Sequence, residues 1–177
     1  LKNEFDIQEV WQGLEIHPET PPEGRDMSEE YPPQTRSQLY QQLNESGMNY
    51  GISFKRSTGY LANSRLALVL SEYAKKTASF DSVHPNIFKA YFEDGKDIGD
   101  REVLLHLAES VGLSREEVEQ AWQDEALEQD LQEVATIASQ EGTTAVPTFI
   151  INDKYRIVGA QPYQVFQETL KKIAEKG

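Results

Sequence analysis

Residues 142–151 read GTTAVPTFII, and this stretch decides how the rest of the chain is interpreted. Four β-forming residues follow Pro147, although proline lacks the backbone N–H that a sheet ladder requires. A proline in this position is ordinarily a feature of a sheet edge. Taken alone, the stretch therefore predicts a strand that begins at an edge proline with an ordinary trans peptide bond.

The residues after this stretch predict an antiparallel hairpin and a final helix. Two short β-rich runs, 148–151 and 155–158, are separated by Asn-Asp-Lys, which predicts a hairpin with a three-residue loop. A Gly-Ala-Gln turn then leads to a helix with Pro162 at its first position. Apolar residues recur in that helix at helical spacing: Val165, Phe166, Leu170 and Ile173.

The residues before this stretch predict a block of five helices from Asn63 to about residue 138. Asn63, Asp100 and Ser114 are expected N-caps, and Ser114 forms a capping-box pattern with Glu117. Pro85 is expected in the first turn of the second helix. These spacings fit one helical subdomain with a shared core.

The N-terminal part predicts a strand, a loop and a short helix. Residues 10–16 alternate apolar with other residues, which is typical of a strand. A proline-rich loop extends to Pro33, and a short helix is expected over about 35–45. The whole order predicts an α/β sheet with a helical block inserted between its halves.

Composition narrows the classes of partner. A net charge of −13 argues against nucleic acid and against anionic membrane surfaces, because both would repel the chain. Residues 100–141 alone carry a charge of −10. This acidic stretch is interpreted as the solvated faces of helices, with a docking surface for a basic partner as the alternative. The sequence gives no indication of the oligomeric state.

Several kinds of catalytic site have no support in the sequence. The chain contains no cysteine, so the 177 residues supply no disulfide, thiolate ligand or thiol nucleophile. The three histidines, His17, His84 and His106, lack the spacing of zinc ligands, and no metal site is predicted. No phosphate-binding glycine motif and no Gly-x-Ser-x-Gly motif occurs.

Four segments together carry a resemblance to a known family. In chain order they are WQGLEIHPETPPEG, NSRLALVLSEYA, FKAYFEDGKDIGDREVL and GTTAVPTFIINDKYRIVGAQPYQVFQETL. The chain resembles the DsbA family in its FrnE-like branch, which also includes 2-hydroxychromene-2-carboxylate isomerases. The resemblance implies a thioredoxin-like α/β sheet with an inserted all-helical subdomain. Residues 1–55 and 137–177 would form the thioredoxin-like domain, and residues 56–136 the insertion.

The resemblance also implies where a substrate would bind. Val146-Pro147 would be a cis peptide beside the active site, with Val146, Pro147 and Thr148 presenting backbone to an extended substrate. His17 and Pro18, after the predicted first strand, would line the same cleft, unless they only terminate that strand. The resemblance implies no cofactor.

The chain departs from the family pattern at the reactive residues. The family carries Cys-x-x-Cys at the start of its first helix, and we expect that strand and helix to lie upstream of Leu1. The resemblance then implies a thiol-disulfide oxidoreductase that acts on disulfide-containing or extended peptide substrates, in the cytoplasm. The alternatives are a glutathione-dependent isomerase of the same fold, a redox-inactive thioredoxin-like module that binds peptides, and a structural domain with no ligand.

Overall fold

The computed structural model describes residues 1–55 and 59–175, which form two compact units. The hairpin unit comprises Leu1–Gln12 and the described residues from Val134 onward, and the helical unit comprises Gly13–Glu133. The division predicted from the sequence, with residues 56–136 as the insertion, stays a prediction.

The described residues contain seven α-helices, four short strands and two short helices of other types. The helices are α1 (Pro33–Gly47), α2 (Arg65–Lys76), α3 (Phe80–Phe88), α4 (Arg101–Ser110), α5 (Arg115–Ala121), α6 (Glu125–Gln140) and α7 (Tyr163–Ala174). The strands are β1 (Arg25–Asp26), β2 (Tyr60–Leu61), β3 (Thr148–Ile151) and β4 (Tyr155–Val158). A 3₁₀ helix (Met48–Tyr50) follows α1, and a π-helix (Lys89–Glu93) follows α3. None of the helices in this part of the chain is long and apolar enough to cross a membrane.

The helical unit holds the main apolar core of the described residues. Leu70, Val83, Leu104 and Val118 are completely buried there, on α2, α3, α4 and α5. Burying one such side chain contributes about 1.5–3 kcal/mol, so packing between helices dominates the stability of this unit. A second cluster, which includes Leu127 of α6, packs beside it.

Local hydrogen bonds begin these helices. The Asp100 carboxylate accepts a hydrogen bond from Glu102 N at 2.8 Å. Ser114 and Glu117 form the complete capping box at the start of α5. Asn63 Oδ1 accepts a hydrogen bond from Arg65 N at 2.9 Å. Asp100 and Ser114 are confirmed as N-caps, whereas the prediction for Asn63 is wrong, because the N-cap of α2 is Ser64 and Asn63 lies one residue before it.

The strand predicted over residues 10–16 is wrong for the described structure. No strand is formed there, because alternation alone does not make a strand and none of the described strands pairs with this segment. The sequence did not indicate β1 and β2, which pair antiparallel with Arg25 opposite Leu61. Strand β1 lies within the proline-rich loop and β2 lies after it, and no hydrophobic periodicity indicates either strand.

Pro85 and Pro162 occupy positions in their helices that differ from the predicted ones. Pro85 is the sixth residue of α3, because that helix already begins at Phe80, and a π-helix follows directly. Pro162 is the N-cap of α7 rather than its first residue. The helix expected over 35–45 is longer, since α1 extends over Pro33–Gly47.

The hairpin unit contains the predicted hairpin and final helix. In the hairpin, Thr148 lies opposite Val158 and Ile151 lies opposite Tyr155. The predicted loop 152–154 joins the two strands. Phe149 contacts Phe166 of α7 edge to face, with ring centroids 4.8 Å apart. No residue of α7 is buried in the described structure.

Candidate functional site

The candidate site is the entrance of β3, which is fixed to the end of α6. Gly142 ends that region of helix with φ of +66°, and Thr143 N donates a hydrogen bond to Ala138 O at 2.8 Å. The Arg156 guanidinium of β4 donates two hydrogen bonds to Glu141, one to its backbone oxygen and one to its carboxylate, each at 2.7 Å. These contacts hold the segment that leads into β3.

The entrance itself is a tight turn around Pro147. The Val146–Pro147 peptide bond is cis. The Thr148 hydroxyl donates a hydrogen bond to Ala145 O at 2.7 Å, which closes the turn from within. Thr148 therefore holds the shape of the entrance, while Val146, at the tip of the entrance, is 54% exposed.

The hairpin register shows which backbone groups of the entrance are available. Gly159 N donates to Pro147 O at 2.8 Å, which extends the β3–β4 ladder to Pro147. In an antiparallel pair, residues alternate between bonding their partner strand and pointing away from it. Thr148 and Ile150 therefore direct their backbone groups away from β4. Among the described residues, the backbone of Val146 has no hydrogen-bond partner.

Such an arrangement can bind an extended chain. An exposed strand edge offers N–H and C=O groups to a further strand, and a polypeptide can supply that strand. Ile150 and Val158 add apolar surface beside the edge, with 49% and 47% of their area exposed. Pro147 offers no N–H, so Val146 is the donor at the tip.

The N-terminal residues of the hairpin unit are fixed to α7. The Glu4 carboxylate accepts hydrogen bonds from Tyr163 Oη at 3.0 Å and from Gln167 Nε2 at 2.7 Å. These hydrogen bonds lower the pKa of Glu4, and the bond to Glu4 raises the pKa of Tyr163. This link orders the start of the described chain within the hairpin unit.

His17 and Pro18 belong to the helical unit, so their predicted place beside Val146 stays a prediction. His17 Nδ1 lies 3.2 Å from a Glu19 carboxylate oxygen, and both side chains are exposed. Thr20 N donates to His17 O at 3.0 Å, which places His17 at the start of a turn. The local geometry is that of a loop, and no described strand precedes it that His17 and Pro18 could terminate.

The other two histidines lie on helices. The His84 ring is stacked on Phe80 and tilted against Phe88, with ring centroids 4.6 Å and 4.8 Å away, and burial lowers the pKa of His84. His106 Nδ1 lies 2.7 Å from Glu102 O. Across residues 1–55 and 59–175, no group of three or more His, Asp or Glu side chains is arranged to hold a metal ion.

The sequence did not indicate a cavity in the helical unit, which we call the Phe54 cavity. Its volume is about 290 Å³, and it is lined by Pro33, Arg36, Ser37, Tyr40, Phe54 and Lys55. The lining comes from α1 and from a segment after it. No short motif joins these residues, so only their contacts in the fold identify them.

Comparison with known proteins places these features in a family. The model of the DSBA-like thioredoxin domain matches residues 1–171. The chain is 29% identical to the uncharacterized protein YwbO of Bacillus subtilis (strain 168) over 176 residues, which cover 97% of this chain and 84% of that protein.

Two solved structures share the fold. The probable DsbA oxidoreductase SCO1869 from Streptomyces coelicolor has a TM-score of 0.80 and 24% identity, over 94% of this chain and 75% of that one. A putative protein disulfide isomerase from Nitrosomonas europaea has a TM-score of 0.62 and 15% identity, over 81% of this chain and 76% of that one. The predicted α/β thioredoxin-like fold with inserted helices is confirmed. The chain belongs to the DSBA-like thioredoxin domain family.

Proposed function

We propose that this chain is the substrate-presenting part of a thiol-disulfide oxidoreductase. The observation that carries the proposal is the exposed entrance of β3, where Val146 offers an N–H and a C=O without a partner among the described residues. Membership of the DSBA-like thioredoxin family supports it. The 177 residues contain no cysteine, so the reacting thiols would be supplied from outside them.

The proposed reaction is an exchange of sulfur–sulfur bonds. A thiolate attacks one sulfur of the substrate disulfide, forms a mixed disulfide and releases the other sulfur as a thiolate. A second thiol of the protein then attacks the mixed disulfide. The substrate leaves as a dithiol, and the protein retains the disulfide. The reverse sequence oxidises a substrate dithiol.

The chain's own residues would position the substrate for this exchange. The backbone of Val146 pairs with an extended substrate segment, and Pro147 presents no N–H that would compete for the sulfur atoms. Thr148 keeps the turn in shape through its bond to Ala145 O. His17 and Pro18 would line the same cleft. Disulfide-containing or extended peptides are the proposed substrates, without a cofactor.

The first experiment tests substrate presentation directly. The ¹⁵N-labelled protein is titrated with a short peptide of alternating valine and threonine around one cysteine blocked as a methyl disulfide. We expect the largest amide shifts at Val146, Thr148 and Ile150. Val146→Pro removes the donor and should weaken binding roughly fivefold, in line with one lost hydrogen bond.

The matched control is Val146→Ala, which keeps the N–H and should bind within about twofold of the original protein. Circular dichroism and the melting temperature establish that both variants are folded. Equal affinities of the proline and alanine variants would contradict the proposal, as would shifts confined to other parts of the chain.

A second experiment separates the oxidoreductase from a redox-inactive module that binds peptides. The absence of cysteine from the 177 residues favours the redox-inactive module that binds peptides. Thiols are titrated in the protein as cells produce it. Two reactive thiols support the oxidoreductase, whereas none, together with peptide binding at Val146, supports the peptide-binding module.

Two finer assignments accompany this proposal. Within the family, the FrnE-like branch is favoured by the segments quoted above, and a glutathione-dependent isomerase would then be the variant without a reactive thiol. Glutathione-dependent turnover without reactive thiols would favour that isomerase. A cytoplasmic location is proposed because a chain without disulfides suits a reducing compartment.

A further inference from the structure

The Phe54 cavity lies wholly within the helical unit and has no role in the proposed thiol chemistry. Its volume of about 290 Å³ is just below the range of about 300–1,000 Å³ that is typical of small-molecule sites. Its walls combine an aromatic ring, a phenol and a proline with two cationic side chains. Flat apolar walls with a few polar groups are typical of a site for a small ligand.

Hydrogen bonds fix the wall that carries Phe54. Asn44 of α1 accepts a bond from Phe54 N and donates one to Phe54 O, both at 2.8 Å. The same Asn44 amide donates to Tyr40 O at 2.8 Å. One side chain therefore joins the two aromatic walls, and the cavity is preorganised.

The π-helix fixes the next residue of the wall. Lys55 N donates a hydrogen bond to Phe92 O at 2.9 Å, and Phe92 lies in the π-helix. The Phe54 and Phe92 rings meet edge to face, with centroids 5.8 Å apart. Single π-helical turns within helices occur frequently at functional sites.

The charge of the cavity is opposite to that of the chain. Arg36 and Lys55 both line it, and none of its described lining residues is acidic, although the chain carries a net charge of −13. Arg36 Nε donates to Tyr31 O at 2.9 Å, which orients the guanidinium. Lys55 forms no ion pair with any described residue. The lysine is thus available to an anion from solution.

We propose that the Phe54 cavity binds a small aromatic anion. Its acidic group lies between Arg36 and Lys55, and its ring lies against Tyr40 and Phe54. Arginine and lysine hold carboxylates and phosphates through charge-assisted hydrogen bonds, and aromatic walls favour a flat ring. Long polyanions such as nucleic acid do not fit, because the rest of the chain repels them.

Isothermal titration calorimetry with benzoate and phenyl phosphate tests the proposal, and amide shifts at Phe54 and Lys55 localise the binding. We expect saturable binding of one molecule per chain by at least one probe. Lys55→Gln should weaken it roughly tenfold, since a charge-assisted contact is lost. Benzyl alcohol, which keeps the ring without the charge, and inorganic phosphate, which lacks the ring, should both bind more weakly.

Lys172→Gln is the matched control, because it makes the same charge change on α7 in the hairpin unit. Its affinity should equal that of the original protein. The proposal is overturned if neither probe binds saturably, or if Lys55→Gln weakens binding less than about threefold relative to Lys172→Gln. Equal affinity for phenyl phosphate and inorganic phosphate also overturns it. The result is independent of the Val146 experiments, because the two sets of residues are different.

Discussion

At the scale of single residues, two glutamates of the helical unit show how burial and hydrogen bonding act in opposite directions. Glu15 is only 12% exposed and lies 3.3 Å from Arg65, which also pairs with Glu128. Burial raises the pKa of Glu15 despite the arginine. Glu102 is solvent-exposed and bonded by the Arg115 guanidinium at 2.6 Å and 2.8 Å, which lowers its pKa.

Glu15→Gln is expected to become more favourable, relative to the original protein, as the pH rises. Because the folded state raises the pKa of Glu15, its contribution to stability is complete below the unfolded pKa and is lost as the pH rises through the folded pKa. Glutamine stays neutral and avoids this loss. The free energy of unfolding, measured in urea between about pH 4 and pH 7, gives the difference.

Glu102→Gln is the control of opposite sign. A lowered pKa gives stability that is present above the unfolded pKa and lost as the pH falls through the folded pKa. This variant should therefore be less stable than the original protein at pH 7, with a difference that shrinks on acidification. The expectation is contradicted if the relative stabilities of Glu15→Gln and Glu102→Gln change with pH in the same direction.

At the scale of elements, the β3–β4 turn carries a local conflict that a substitution can relieve. Asn152 and Asp153 both have positive φ, at 52° and 53°, as the central residues of a type I′ turn require. Aspartate tolerates this conformation less well than glycine. Asp153→Gly should stabilise the hairpin unit by about 0.5 kcal/mol, since the relieved strain exceeds the added chain entropy.

The melting temperature and urea unfolding measure this change. Lys154→Gly is the control, because Lys154 does not have a positive φ and its ammonium lies 5.5 Å from the centre of the Tyr155 ring. Glycine at position 154 adds conformational entropy to the unfolded chain and removes the contact with the Tyr155 ring. Lys154→Gly should therefore lower the stability of the hairpin unit. A destabilising Asp153→Gly would show that the turn is not limited by its φ angles.

The elements that the sequence predicts correctly are those determined by nearby residues. Asp100 and Ser114 act through backbone groups two and three residues away, so their caps are visible in the sequence. Alternation over residues 10–16 is equally visible, but a strand also needs a partner, which no described strand provides. Local pattern determines helix ends, whereas pairing determines strands.

The candidate sites divide in the same way. The strand after Pro147 was predicted from its residues, and the resemblance implied that Val146 presents its backbone; the structure adds that no described residue hydrogen-bonds that backbone. The Phe54 cavity was missed because the bonds from Asn44 join residues ten positions apart without any periodic pattern. A hydrophobic pattern indicates which face of an element is buried, but it does not indicate which polar side chains hydrogen-bond to one another.

At the scale of the whole molecule, the apolar core is distributed unevenly. All buried hydrophobic residues of the described chain lie in the helical unit except Ile157 of β4. Helix α2 buries six residues, whereas α7 buries none despite apolar residues at helical spacing. Local opening of a protein requires less free energy where fewer apolar contacts are broken. The hairpin unit should therefore open more readily than the helical unit.

Native-state hydrogen exchange followed by mass spectrometry tests this expectation. After correction for intrinsic rates, the amides of α7 should exchange at least about tenfold faster than those of α2, which corresponds to a difference of about 1.4 kcal/mol in opening free energy. Peptides from β3 and β4 should lie between them, since Ile157 is buried and Phe149 contacts Phe166. Equal protection of α7 and α2 would contradict the expectation. It would mean that the exposed apolar face of α7 is covered in solution by a further part of the protein or by a partner.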